Sequence, residues 1–312
     1  MISEADIRKA LTVRRKSMNE FKTYHPIVNL VYFLFTLGFS MVFMHPLCLF
    51  VSLASAFAYS VMLGGVKALK TNLLYMLPMI LFTSLLNPLF NHEGVTVIAY
   101  LPDGNPLTLE SAVFGIAASV MLVSVICRFS CFNAVMTDDK FIYLFGRVMP
   151  TLSLILSMTL RFVPRFLSKL KQAADTRRCV GNDPADGNTV KRAKNGLALL
   201  SAMVTWALEN SVDTADSMRS RGYGLSGRTA FSIFVFDRRD ALTLALTAAL
   251  GIYTLAGALL GAFDSSYFPI LSFAQWDAYT VSVILAYTLL CVMPIIIEIK
   301  EKIKWKSTGS KI

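Results

Sequence analysis

The sequence is poor in charged residues for its length, and this argues against a water-soluble globular protein. Only 16% of its 312 residues are Asp, Glu, Lys or Arg, whereas 55% are hydrophobic and the mean hydropathy is +0.57. Uncharged runs such as 27–63 exceed what a soluble core needs, since about twenty apolar residues cross a bilayer. The composition therefore predicts a membrane protein with several spanning helices.

The motifs of several enzyme classes are also missing. The chain has no Gly-x-x-x-x-Gly-Lys-Ser/Thr loop, so we do not expect it to hydrolyse ATP. It has no His-Glu-x-x-His or Gly-x-Ser-x-Gly motif, and its apolar segments contain almost no ionisable residue for an ion-coupled carrier. The first 26 residues are polar and basic, without the apolar core of a cleavable signal peptide. We expect a non-catalytic chain without a cofactor.

The five cysteines fall mostly within or beside apolar segments, where packing is their expected role. Cys127 and Cys131 have a spacing that could form half of a metal site. No histidine or second cysteine pair lies near them in the sequence, however, so no metal site is predicted.

Six stretches without Lys or Arg are each predicted to cross the membrane, namely 27–44, 46–63, 73–90, 111–127, 240–262 and 277–297. With the amino terminus inside, all 30 basic residues fall on one side of the membrane. The positive-inside rule then places both termini in the cytoplasm and explains the net charge of +10 without nucleic acid. The external segment 91–110 contains two prolines and Gly104, which favour a short hairpin.

The predicted organisation is an all-α membrane protein with a cytoplasmic helical subdomain in its middle. It comprises a basic amino-terminal segment 1–26, four spans in 27–127, coupling helices in 128–239, two spans in 240–297 and a basic tail 298–312. Two apolar runs inside the middle segment, 148–160 and 196–208, have 13 residues each. As helices they would be about 20 Å long, too short for a hydrocarbon layer of about 30 Å. We therefore expect them to lie at the membrane face.

Three helices are predicted in this middle segment. The first begins near Pro150 and is expected to kink or break at Pro164, and the second continues from Arg165 to about Arg178. A polar connector follows, and the third helix extends from about Val190 to Arg219 or Arg221, before Gly222.

The last two of these helices end alike. One ends in Ala174-Asp175-Thr176-Arg177-Arg178-Cys179 and the other in Ala215-Asp216-Ser217-Met218-Arg219-Ser220-Arg221-Gly222. One interpretation is that these are ordinary cationic helix ends that favour the helix dipole and contact lipid phosphates. The other is that their guanidinium groups dock into acidic grooves of two related partners or of a dimer, because guanidinium pairs with carboxylates through two parallel bonds.

On these residues the chain resembles the transmembrane T component of energy-coupling factor (ECF) transporters, the family that includes the cobalt-transport permease. That family has two short Ala-Arg-Gly-type motifs at the ends of cytoplasmic coupling helices. Here they correspond to Arg177-Arg178-Cys179 and Ser220-Arg221-Gly222. The segments Leu160-Arg161-Phe162-Val163-Pro164 and His25-Pro26-Ile27-Val28-Asn29-Leu30 are also similar. The first motif departs from the pattern, so either Arg177 or Arg178 could be its docking residue, and we favour Arg178.

The resemblance implies a scaffold that couples two cytosolic ATP-binding subunits to a small substrate-binding membrane subunit, the S component, in the cell membrane. It implies ATPase docking by Arg177, Arg178, Arg219, Arg221 and Gly222. The apolar helix faces would contact the S component through Leu152, Leu156, Met158, Leu197, Leu200 and Met203. The transported micronutrient, a vitamin or a metal ion, is not identified by this chain.

Two other functions are weighed against this one. An intramembrane enzyme acting on a lipid or isoprenoid phosphate would need acidic residues for metal, and only Asp138-Asp139 and the pair Asp213 and Asp216 are available. A membrane-anchored nucleic-acid binder would fit the basic patch but not its connection to short apolar helices.

Overall fold

The computed structural model describes residues 20–100, 106–181, 188–225, 234–273 and 277–309, and most of their regular structure is helical. A 3₁₀ turn, Glu20–Thr23, precedes α1 (Pro26–Val42), α2 (Pro46–Phe90), β1 (Val97–Tyr100), β2 (Pro106–Thr108), α3 (Leu109–Val135) and α4 (Asp138–Val148). There follow α5 (Pro150–Cys179), α6 (Thr189–Ser220), α7 (Arg238–Leu259), β3 (Ser265–Ser266), β4 (Ser272–Phe273) and α8 (Ala278–Gly309). The predicted all-α membrane class is confirmed. Most of the basic amino-terminal segment, residues 1–19, lies outside the described residues.

Helix α2 is a helical hairpin, although its hydrogen bonding is nearly continuous. Gly65 interrupts it with a positive φ of 61° and ψ of −148°, a conformation that glycine adopts readily. The Asn72 side-chain amide donates to the Ser60 hydroxyl across 2.8 Å, whereas twelve residues of straight helix would separate them by about 18 Å. The two halves, 46–64 and 66–90, therefore lie side by side and account for two of the predicted crossings.

Among the described residues, four helices are long and apolar enough to cross a membrane: α2, α3, α7 and α8. Helix α1 is also apolar but has 17 residues, about 25 Å of helix. With α2 counted as two halves, these helices correspond one to one with the six predicted crossings. Helices α1 and α2 both begin with proline, whose missing N–H leaves no helical hydrogen bond unmade in the first turn.

The structure consists of two compact units, Met1–Lys140 with Phe234–Ile312 and Phe141–Ile233. In the first, aromatic rings of the 3₁₀ turn, α1 and α2 pack edge to face: Phe21 lies 5.2 Å from Tyr32 and 6.2 Å from Tyr59. Helices α7 and α8 approach closely at Gly257, which has no side chain to separate them. A Cβ atom at this position would lie only 2.5 Å from the Val283 side chain. This first unit contains all the predicted spans.

The segment 91–110 contains the expected hairpin, in which β1 and β2 pair antiparallel and Val97 lies opposite Thr108. Its residues 101–105 lie outside the described ranges. The Glu110 carboxylate, in the first turn of α3, accepts hydrogen bonds from the Thr96 N–H at 3.2 Å and the Thr96 hydroxyl at 2.8 Å. The hairpin is thereby joined to the start of the helix that follows it.

Several helix boundaries differ from the sequence predictions, among them those of α5 and α3. The sequence predicted a kink or a break at Pro164; helix α5 is continuous from Pro150 to Cys179, so the break is wrong and the two predicted helices are one. Phe162 and Phe166, on either side of that proline, both pack against Trp206, with ring centroids 5.6 and 6.4 Å apart. Helix α3 also continues beyond the predicted span end at residue 127, as far as Val135.

Candidate functional site

The carboxyl end of α6 has a complete glycine cap. The Gly222 N–H donates to the Arg219 carbonyl at 2.9 Å and the Tyr223 N–H to the Met218 carbonyl at 3.0 Å, the two bonds of a Schellman motif. Gly222 has a φ of +71°, and a Cβ atom there would lie 3.1 Å from Leu225. The glycine of the second arginine motif therefore has a backbone role: it ends the helix immediately after Arg221.

The end of α5 is built in the same way, but its arginines lie further from the glycine. The Gly181 N–H donates to the Arg178 carbonyl at 3.0 Å, and Gly181 has a φ of +77°. Measured from the capping glycine, Arg178 occupies the helical position of Arg219, not that of Arg221. The departure of the first motif is thus a shift of its arginines toward the inside of the helix.

The two arginines at the end of α5 have different surroundings. Arg177 is half-buried, and its guanidinium donates to the Asn195 carbonyl of α6 at 3.3 Å. Arg178 is exposed and lies 3.7 Å from the Asp175 carboxylate, with both side chains 55% accessible. An ion pair this exposed contributes little to stability.

The contacts between α5 and α6 define an antiparallel pair. Phe162 and Phe166 face Trp206, and further toward the end of α5 Arg177 faces Asn195, which lies nearer the start of α6. Each arginine end lies about fifteen residues beyond the aromatic contact, or about 20 Å along its helix. Because the helices point in opposite directions, the two ends lie at opposite ends of the pair, at most about 40 Å apart.

The apolar residues proposed to contact a membrane partner are mostly exposed. Five of them have 37–67% of their surface accessible, namely Leu152, Leu156, Met158, Leu197 and Leu200. Met203 is different: it is only 3% exposed, so its side chain packs inside the protein and does not belong to the surface that was expected.

Comparison with known proteins gives the family. A model of the CbiQ cobalt transport proteins matches residues 19–233, about two thirds of the chain. The chain belongs to this family. The predicted family resemblance is confirmed. Membership of the family places this chain among membrane transport proteins.

Three relatives share the description energy-coupling factor transporter transmembrane protein EcfT. The one from Lactobacillus helveticus is 34% identical over 95 residues, 30% of this chain and 34% of that protein. The one from Streptococcus thermophilus is 26% identical over 215 residues, 65% of this chain and 78% of that protein. The one from Acidaminococcus fermentans is 30% identical over 155 residues, 46% of this chain and 58% of that protein. The chain thus spans from about a third to about three quarters of these relatives' lengths.

Sequence reasoning missed a buried arginine in the membrane bundle of this CbiQ family member. Arg128 was assigned to the start of the cytoplasmic segment, but it lies inside α3 and is only 3% exposed. Its guanidinium donates to the Ser55 hydroxyl at 2.9 Å, the Ser52 hydroxyl at 3.2 Å and the Cys291 sulfur at 3.1 Å. These bonds join α3 to α2 and α8. The apolar pattern that continues through Cys131 to Val135 was the signal that the helix did not end at residue 127.

Lys140 is a second buried cation, at the start of α4 and outside the spanning helices. It is 3% exposed, and its ammonium group donates to the Lys22 carbonyl at 2.7 Å. Burial, with a smaller contribution from the nearby charge of Lys22, lowers the pKa of Lys140 to about 8.

The acidic residues required by the enzyme alternative do not form a metal site in the described part of the chain. Within those residues, no group of three or more His, Cys, Asp or Glu side chains comes together. Asp213 and Asp216 lie on the exposed surface of α6. No observation favours the enzyme over the transport subunit that the family indicates.

Proposed function

We propose that this chain is the transmembrane coupling subunit of an ATP-driven, ECF-type importer of a vitamin or metal ion. Its α5 and α6 ends bind two cytosolic ATP-binding subunits, and the exposed apolar faces of the same helices contact a small substrate-binding membrane subunit. ATP-driven movement of the first partners then reaches the second through these two helices.

The observation that carries the proposal is the pair of arginine ends on one antiparallel helix pair. Two arginine ends at opposite ends of a helix pair can engage two separate subunits at once, which one cationic patch could not do. Both ends carry exposed arginines, and guanidinium suits docking on carboxylates because it remains charged and binds through two parallel hydrogen bonds.

The surroundings of the arginines favour Arg178 over Arg177 for docking at the first end. Arg177 already joins α5 to α6 through Asn195, so its loss would disturb the helix pair itself. Arg178 is exposed, and its Asp175 contact is weak enough to yield to a partner carboxylate. At the second end, Arg219 and Arg221 both remain candidates, since Arg219 shares the helical position of Arg178.

Exposed leucines on both helices support a contact with a membrane partner. Leu197 and Leu152 are 67% and 58% exposed, and helices this apolar on their surface bury those faces against lipid or another protein. The distribution of basic residues supports a cytoplasmic location for α5 and α6 and for both termini, because 29 of the 30 then lie on one side, Arg128 being buried inside α3.

The proposal is tested by co-purification from membranes with a tag on this chain. We expect the wild-type chain to recover two ATP-binding subunits and a small membrane protein. The double variant Arg178→Ala, Arg221→Ala should insert normally but lose the ATP-binding subunits and ATP-driven uptake.

The matched control is Arg165→Ala, which removes an exposed arginine in the interior of α5 rather than at its end. This variant should retain both partners and uptake. Equal loss in Arg165→Ala and the double variant, or full uptake in the double variant, would contradict docking through Arg178 and Arg221.

A further inference from the structure

An apolar cleft lies between the two halves of the α2 hairpin. It has a volume of about 290 Å³, and its lining from both halves is entirely apolar, including Phe50, Leu53, Phe57, Leu73, Leu77 and Ile80. The half 66–90 has much of its apolar surface exposed along its whole length. A cleft at this depth in a membrane protein opens onto lipid or onto a partner.

The cleft has the depth expected for an acyl chain. Phe57 and Leu73 lie eight residues on either side of Gly65, about 12 Å from the turn, and the lining continues for about another 10 Å. Those depths belong to the hydrocarbon layer, whereas the turn itself lies near the headgroups. An acyl chain has no hydrogen-bonding group, and the side chains that line the cleft have none either.

Two lysines lie between the cleft and the turn. Lys67 and Lys70 are the only charged residues in the 45 residues of α2, and both are exposed. Within the described part of the chain, neither has a carboxylate within ion-pair distance. Lys70 precedes Leu73 by three residues and Leu77 by seven, so it lies on the same side of the helix as the lining.

From this arrangement we infer that the α2 hairpin binds an anionic phospholipid. Its headgroup phosphate contacts Lys67 and Lys70, and one acyl chain occupies the cleft between Phe57 and Leu73. Basic residues next to grooves between membrane helices are suited to anionic headgroups, and each lysine near the surface contributes to the attraction. This binding does not depend on the docking of ATP-binding subunits at α5 and α6.

The test is native mass spectrometry of the purified full-length chain with phosphatidylglycerol and with phosphatidylcholine. We expect tighter binding of phosphatidylglycerol to the wild-type chain. Lys67→Gln with Lys70→Gln should weaken it about 30-fold, since each lysine contributes about fivefold, and should leave phosphatidylcholine unchanged. Lys300→Gln removes an exposed lysine from α8 and should have no more than about a twofold effect.

A second pair of variants tests the cleft independently of charge. Leu73→Trp fills the cleft and should weaken both lipids, whereas Leu74→Trp, at a neighbouring residue that is 69% exposed and outside the lining, should weaken neither. Equal binding of the two lipids to the wild-type chain would overturn the proposal. So would unchanged binding in the lysine and Leu73 variants, or a photo-crosslinker at Leu77 that captures a membrane protein in place of lipid.

Discussion

Arg128 provides a sharp test of how the membrane bundle is held together. Its shortest hydrogen bond goes to the Ser55 hydroxyl at 2.9 Å, and Ser55 otherwise donates only to the Ser52 carbonyl at 3.1 Å. Replacing Ser55 by Ala therefore removes an acceptor from a buried charge. Such bonds contribute about 1.5–3 kcal/mol in soluble proteins and less on average between membrane helices, so we expect a loss of about 1–3 kcal/mol.

Ser119 is the matched control for Ser55. It is only 1% exposed and its hydroxyl donates to the Ile116 carbonyl at 2.7 Å, the same local bond without an arginine. Ser119→Ala should consequently cost less than about 1 kcal/mol. The difference between the two serine variants then measures the contact with Arg128.

The Arg128→Met variant completes a double-mutant cycle. Among the described residues, no carboxylate lies within ion-pair distance of Arg128, so its burial carries a desolvation cost that an apolar residue of similar size avoids. We expect Arg128→Met to be neutral or stabilising, and Ser55→Ala to cost no more than Ser119→Ala in that background.

The free energy of unfolding is measured by far-ultraviolet circular dichroism as sodium dodecyl sulfate is added to dodecyl maltoside micelles. A Ser55→Ala cost that is the same with Arg128 and with Met at that position would refute the reasoning. A loss of more than about 1 kcal/mol in Arg128→Met would also refute it, since the guanidinium would then be a net stabilising group.

Three further predictions concern backbone, packing and charge. Gly222→Ala should destabilise the α6 end by about 1 kcal/mol or more, because the residue has a positive φ. Gly196→Ala, inside the same helix with open space around it, should instead stabilise the protein by about 0.5–1 kcal/mol. The same unfolding titration measures both changes. Trp206→Ala should loosen the contact between α5 and α6 and so speed amide hydrogen exchange along both helices. Trp206→Phe keeps an aromatic ring and should retain most of the protection from exchange. Equal exchange rates in the two variants would contradict a role for the aromatic contact. The pKa of Lys140 is about 8 in the folded protein and 10.5 in the unfolded chain. Between these two pH values the unfolded chain binds more protons than the folded protein. The free energy of unfolding should therefore rise with pH, by about 2–3 kcal/mol. Unfolding titrations at pH 7.5 and 10 should show this rise in the wild type and a smaller one in Lys140→Met.

Local sequence features were sufficient for most of the fold. Long apolar runs can satisfy their backbone hydrogen bonds in lipid only as helices, so the spans followed from composition alone. Helix ends were predictable where a specific backbone conformation is needed, as at Gly222. The predicted break at Pro164 was wrong because the effect of a proline on a helix depends on the surrounding tertiary contacts. Here Phe162 and Phe166 contact Trp206 only when α5 and α6 pair.

The sequence by itself determined the membrane class, the number of crossings and the two arginine-bearing ends, because hydrophobic length, charge distribution and helix caps are local properties. Tertiary structure decided which residues those patterns leave accessible. It directed Arg177 to Asn195 and left Arg178 exposed, buried Met203, and set the two arginine ends at opposite ends of one helix pair. It also placed Arg128 among Ser52, Ser55 and Cys291, which are distant in sequence. Only the packing of α2, α3 and α8 brings these side chains within hydrogen-bond distance, so no local sequence pattern could predict the contacts.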